Sequence, residues 1–399
     1  MLLHEAYLSE TKNKKRVVCY TIKYRIGVRE EIIYMISIAA PVIEEEERRA
    51  VNEVIESGML AQGPKVAELE KSWAEYCGVK HALAVNSGTA AIHCALYAAG
   101  VKEGDEVITT PYSFIATINP ILMLGAHPVL VDIDEETFNI DTSKIEDVIT
   151  EKTKAIVPVD LYGQPCDWAE LQEIAKKHNL KIIEDACQAI GAEYQGVKAG
   201  ALGDFGCFSL YATKNIMCGE GGVVTTNSDE AAAAVRSFRQ HGMVAPYEYA
   251  DLGYNYRMSD LHGSIAVEQL KKVASFTKKR QENAHKLDRA LMNIQGITIP
   301  TISNNRTHVY HQYTILLDKG IKRDEFIAGL REKGVGAGIY YPKPLHIYPH
   351  IAKLGYKVGD FPVAEDLAAR VVSLPVHPKV TDEDIEVIAA AIKESINGQ

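Results

Sequence analysis

Between residues 79 and 186, short apolar runs alternate with longer mixed segments. This alternation restricts the fold more than any other feature of the chain. HALAV, DEVITT, HPVLVDI, KAIVPVD and LKIIEDA read as buried strands. Helical segments lie between them, around Ala90–Ala99, Ser113–Leu124, Ile145–Ile149 and Trp168–Lys177. Such βαβα order predicts an α/β fold whose mostly parallel sheet carries helices on both faces. Ligands of these sheets sit at the carboxyl ends of the strands, so candidate chemistry belongs there.

Two helices are expected ahead of the alternation. In EEEERRAVNEVIESG, Val51, Val54 and Ile55 share one face. PKVAELEKSWAEYCG opens on Pro64 and closes on Gly78, the usual helix punctuation. After Phe276 the pattern changes. A charged helical stretch, KKRQENAHKLDRALMNI, precedes the expected strands YHQYTILL and VGAGIYY and two further helices. Residues 35–275 therefore read as a large domain and residues 276–399 as a smaller α+β domain.

The net charge of -10 gives no basic signature of nucleic-acid binding. Seven cysteines without a C-x-x-C pair argue against a zinc site or a disulfide framework, and no metal is expected. A reducing, cytoplasmic setting fits them. No apolar run is long enough to span a bilayer, and the first residues do not read as a signal peptide.

Four stretches fall at strand ends. Ser87, Gly88 and Thr89 follow HALAV and open a helix, a ready site for a phosphate. Asp185 ends KIIED; a carboxylate there favours a protonated ring nitrogen. Gln188, three residues on, could donate to a ring hydroxyl. Lys214 lies between the apolar run FGCFSLY and the glycine turn Gly219–Gly222, where a desolvated amine becomes a usable Schiff-base nucleophile. An aromatic of Pro111-Tyr112-Ser113-Phe114 could stack on a planar ring. Singly, these are a helix cap, a turn acid, a surface lysine and a core aromatic. Together they form the set that one cofactor requires, pyridoxal 5'-phosphate (PLP).

The chain also carries, in order, SGMLAQGPKVAELE, NSGTAAIHCAL, PYSFIAT, GAHPVLVDID, VDLYGQP, IIEDACQAIGA, FSLYATKN, GEGGVV, LGYNYRMSD and YYPKPLH. In this it resembles the DegT/DnrJ/EryC1/StrS family of sugar aminotransferases, PLP enzymes of the aspartate-aminotransferase fold. The resemblance implies that Lys214 is the Schiff-base lysine, Asp185 binds the pyridine nitrogen, and Gln188 serves the ring hydroxyl. It implies that Phe114 stacks on the ring and that Gly88, Thr89 and Ser209 hold the phosphate. Asn255 would reach the phosphate from the partner subunit of a homodimer with shared active sites. The implied reaction moves an amino group from L-glutamate to a keto-sugar, nucleotide-linked at the 4-keto or 3-keto level, with a keto-inositol also open. Tyr341, Lys343 and His346 in YYPKPLH are candidates for the acceptor site.

One branch of that family carries His at the lysine position and dehydrates its substrate; Lys214 favours transamination. A PLP lyase or dehydratase on the same fold, and a non-catalytic regulator that binds PLP or a sugar nucleotide, are the alternatives. Asp160 stands where many relatives have His. Residues 1–34 match nothing in the pattern, which begins at Met35; the expectation is that Met35 is the natural start, the rival being a real appendage.

Overall fold

The computed structural model describes residues 35–398; the expectation for residues 1–34 lies outside them. Seven strands form the central sheet: β1 His81–Val85, β2 Glu106–Thr109, β3 His127–Leu130, β4 Thr153–Ile156, β5 Lys181–Asp185, β6 Phe205–Ser209 and β7 Gly222–Thr226. Their order is β1-β7-β6-β5-β4-β2-β3. Pairs β2–β3, β2–β4, β4–β5 and β5–β6 are parallel; β7 runs antiparallel to both β6 and β1, so it alone is reversed. The fold is α/β, as the alternation requires. Because the other six strands point one way, their carboxyl ends gather at one edge.

Helices cover both faces of the sheet. Helix α1 spans Glu45–Ser57, α2 Pro64–Cys77 and α3 Gly88–Ala98. Most of α3 is buried, which suits its apolar composition on all sides. It packs with Leu83, Val85, Val107, Ile183 and Val224 into the core of one face. The other face buries Trp73 of α2 against Phe208, with Ile190, Val223 and Val267. Pro64 sits in the first turn of α2, and Gly78 ends it in the left-handed conformation at φ 71°.

A second sheet joins Ile297–Thr298, Tyr313–Leu317 and Val371–Leu374 in antiparallel register. The helices Val273–Leu291, Arg323–Glu332 and Asp382–Asn397 supply Leu287, Phe326, Leu330 and Ile388 to its core. Val273–Leu291 is continuous across residue 276. Ile36 joins this C-terminal core through a parallel bridge to Val335.

Three local expectations are corrected. Ser113–Leu124 is not one helix but a 3-10 turn, Ile115–Thr117, followed by the short helix Asn119–Met123. Pro120 sits at the start of that helix, where its missing N–H is harmless but an earlier helix could not continue through it. Ile145–Ile149 reduces to the 3-10 turn Glu146–Val148. VGAGIYY makes only isolated bridges, Val335 to Ile36 and Gly338 to Ser373. Glycines at 334, 336 and 338 raise the entropy cost of an extended ladder, and Tyr341 turns the chain at φ 64°. Among the described residues no helix is long and apolar enough to cross a membrane.

Candidate active site

The site is built from strand ends. Where β1 stops, Ser87 caps α3 by accepting the Ala90 N–H at 3.1 Å. The remaining N–H groups of the first turn, including those of Gly88 and Thr89, lack partners within the helix. A Cβ on Gly88 would lie 2.9 Å from Cβ of Ser209 and 3.1 Å from Sγ of Cys187. Thus the helix start, the end of β6 and the turn after β5 meet, and only glycine leaves space between them. Glycine is also needed at 222: a Cβ there would stand 2.3 Å from the Ser87 carbonyl oxygen. This is a small-residue cradle at a helix N-terminus, the arrangement a phosphate requires.

Asp185, 4% exposed, ends β5. Its Oδ2 accepts from Oγ1 of Thr117 at 2.8 Å, and its Oδ1 from the Cys187 N–H at 3.2 Å. Thr117 is in turn 2.8 Å from Oγ of Ser113. The carboxylate is therefore held from one side while it faces the crevice. Thr117 lies within PYSFIAT and is not among the site residues expected from the sequence. The signal available was a second hydroxyl four residues after Ser113, one helical turn on.

Lys214 lies in the loop between β6 and β7. The loop is closed by Leu210 N–H to Gly221 O at 2.8 Å, Cys218 N–H to Leu210 O at 2.9 Å and Lys214 N–H to Tyr211 O at 2.9 Å. Burial lowers the Lys214 pKa, opposed by the nearby Cys187 and Asp185. A lowered pKa supplies the neutral amine that attacks a carbonyl carbon. His311, missed in the sequence, lies behind it, with Nδ1 3.3 Å from Oδ1 of Asn215. Burial first, then the charges of Lys214 and Arg280, push His311 well below its ordinary pKa. It is neutral beside the lysine.

Gln188 is fixed at both ends. Its Oε1 accepts from the Tyr162 N–H at 2.9 Å, and its Nε2 donates to Oη of Tyr341 at 2.9 Å. Tyr341, one of the acceptor candidates, is thereby tied to the crevice, edge-on to Tyr112 at 5.8 Å between ring centroids. Lys343 is exposed. His346 is not brought to the crevice: it is fully buried, with Nε2 3.0 Å from Oε1 of Glu365 and its ring against Phe361. Its position in YYPKPLH reflects packing under the loop. Phe114 is 59% exposed, whereas its neighbour Tyr112 is buried. A large aromatic with an open face at a strand end is available for stacking. The Asn255 carbonyl accepts from Nδ2 of Asn86, one residue before the cradle, and its side chain is exposed.

Cradle, carboxylate and lysine thus converge on one crevice, and their donor set fits PLP. The DegT/DnrJ/EryC1/StrS aminotransferase family model matches residues 41–393. GDP-perosamine synthase of Caulobacter vibrioides is 40% identical over 90% of this chain and 98% of its own length. DesV of S. venezuelae, solved in complex with a ketimine intermediate, is 34% identical and covers 88% of this chain and 94% of its own, with a TM-score of 0.85. Spr1654 of Streptococcus pneumoniae, solved in a PLP-form, is 28% identical over 92% of this chain and 99% of its own, with a TM-score of 0.86. The chain belongs to the DegT/DnrJ/EryC1/StrS family of PLP-dependent sugar aminotransferases.

Proposed function

We infer that this sugar aminotransferase takes its amino group from L-glutamate and delivers it to a nucleotide-linked keto-sugar. The observation that carries the reading is the convergence of Lys214, Asp185 and the Gly88–Ser209 cradle on one crevice. Similarity to a GDP-perosamine synthase over nearly the whole chain supports a nucleotide-linked acceptor. When bound, PLP supplies an electron sink for the pair left when a proton leaves the donor's α-carbon.

The chain's own residues do the rest. Gly88, Thr89 and Ser209 bind the phosphate through helix-terminal N–H groups and a hydroxyl. Asp185, anchored by Thr117, holds the ring nitrogen protonated. Gln188 serves the ring hydroxyl side, and Phe114 covers one ring face. The Lys214 amine, its pKa lowered by burial, would take the α-proton and deliver it to C4′ of the cofactor, acting as base and then acid. Donor and acceptor use the crevice in turn, so the kinetics are ping-pong.

The working unit in this reading is a homodimer. Val244, Tyr247, Tyr249 and Leu252 are exposed on the short hairpin and loop that lead to Asn255, an apolar surface suited to a second copy. Asn255 of one subunit then reaches the phosphate of the other.

The test is direct. Purified enzyme with PLP and L-glutamate should form 2-oxoglutarate in a single turnover without a sugar. It should turn over continuously only when a nucleotide keto-sugar is added. Product formed from a sugar with no amino donor would instead indicate the dehydratase reading.

A further inference from the structure

Asp160, the residue that departs from the family pattern, is fully buried, and so is Glu184 on the neighbouring strand end. Asp160 Oδ1 accepts from the Cys166 N–H at 2.8 Å and from Nε1 of Trp168 at 3.3 Å. Its Oδ2 is buried and has no hydrogen-bond partner. Glu184 accepts from the Gly200 N–H at 2.7 Å and the Leu202 N–H at 3.3 Å. The parallel bridge of Val159 to Asp185 turns both side chains to one face of the sheet, each near enough to act on the other, and a hydrogen bond between them would give Oδ2 its partner. Two carboxylates are acceptors only, so such a bond requires one proton between them.

The pair sits directly behind the cofactor crevice. Glu184 precedes Asp185, and alternation along β5 sends their side chains to opposite faces. The Asp160 N–H donates to the Asp185 carbonyl at 3.1 Å, and the Asp185 N–H to the Pro158 carbonyl at 2.9 Å. Asp160 also starts the turn in which Tyr162, at φ 56°, gives its N–H to Gln188. Both Asp185 and Gln188 therefore hang from segments that the acid pair joins.

We propose that Asp160 and Glu184 share a single proton and act as positioning residues for Asp185 and Gln188, so that loss of this proton loosens the cofactor contacts at alkaline pH. The surroundings do not supply an alternative. The thiol groups facing the pair are Cys166 from its own loop and Cys77 from α2, both with pKa values raised by burial, while Cys207 of β6, in register with Asp185, lies on the opposite face. Arg306 is engaged with Asp167 and Lys198 with Glu193. Burial and mutual repulsion push Glu184 well above the ordinary carboxyl range, while Asp160 is pushed up to about 6. In the proposed pair Glu184 is the member that holds the proton and Asp160 the one that accepts it.

The proposal rests on reading Asp185 and Gln188 as cofactor contacts. Asp160→Asn and Glu184→Gln each replace the shared proton with an amide N–H that does not titrate in this range. Turnover and the cofactor absorbance band are followed against pH in the wild type and both variants, and infrared spectra of the wild type and of Glu184→Gln are taken without cofactor. The wild type should show a protonated-carboxyl band near neutral pH that Glu184→Gln lacks. In both variants the alkaline limb of turnover and of the band should move up by roughly one pH unit or more. An unmoved limb in both folded variants overturns the proposal. So does a wild type without the protonated-carboxyl band, a result that stands even when a variant does not fold. Failure of the underlying reading is separate: Asp185→Asn would then keep the wild-type cofactor band.

Discussion

Thr117 donates its hydroxyl to Oδ2 of Asp185 across 2.8 Å, joining the loop after β2 to the end of β5. This bond fixes which way the carboxylate faces. Thr117→Val keeps the shape and removes the donor, a loss of about 1 kcal/mol, so turnover should fall by roughly fivefold to tenfold. Asp185→Asn should be far worse, because an amide cannot hold the ring nitrogen protonated through charge. Steady-state kinetics of the two variants check the order; equal effects would remove Thr117 from its supporting role.

Lys214→Ala should leave the fold intact and abolish turnover. The side chain lines a pocket rather than an apolar core cluster, so its loss opens no large core cavity. Borohydride reduction of the loaded wild type, followed by peptide mapping, should place the cofactor on Lys214. Recovery of the label on another lysine would sink the assignment. Because burial lowers the Lys214 pKa, the amine becomes neutral at a lower pH than in a free lysine, and a pH titration of label incorporation should show it.

Gly88→Ala should weaken cofactor binding without unfolding the chain. The added methyl would stand 2.9 Å from Cβ of Ser209, and overpacking of this kind costs about 1–3 kcal/mol. Titration of the variant with PLP should therefore show a dissociation constant raised by roughly tenfold or more. Wild-type affinity would mean that the phosphate sits elsewhere.

Mixing Lys214→Ala with a severely impaired Asn255→Ala tests the shared site. Freely exchanging subunits should regain activity, since a hybrid dimer contains one crevice with both residues intact. No recovery under proven exchange would confine Asn255 to its own subunit.

The acid pair also makes a stability prediction. The Glu184 pKa is raised in the folded state by burial first and by Asp160 second, so the folded chain holds a proton that the unfolded chain has released. That contribution is fully present below the unfolded glutamate pKa and is lost as pH rises through the folded value. Denaturant unfolding should show the wild type losing stability, relative to Glu184→Gln, as pH increases above about 4.3. A constant difference across that range would exclude the titration.

The order of apolar runs and helical segments already determined an α/β architecture, because buried parallel strands need continuous apolar runs and crossover helices between them. It also determined which strand ends would carry Gly88, Asp185 and Lys214, since Asp185 ends its strand and the other two follow theirs within a few residues. The ordered motifs marked the family and, with it, the cofactor. Contacts made across long separations were not legible. Thr117 meets Asp185 over 68 residues, and Gln188 meets Tyr341 over 153. Neither pairing has a local signal, because it depends on which strands become neighbours. His346 shows the same limit from the other direction: its motif suggested an acceptor contact, but packing against Phe361 and Glu365 buried it. Asp160 was visible only as an unusual residue. Its meaning came from the register of β5, whose alternation turns Glu184 toward it and Asp185 away.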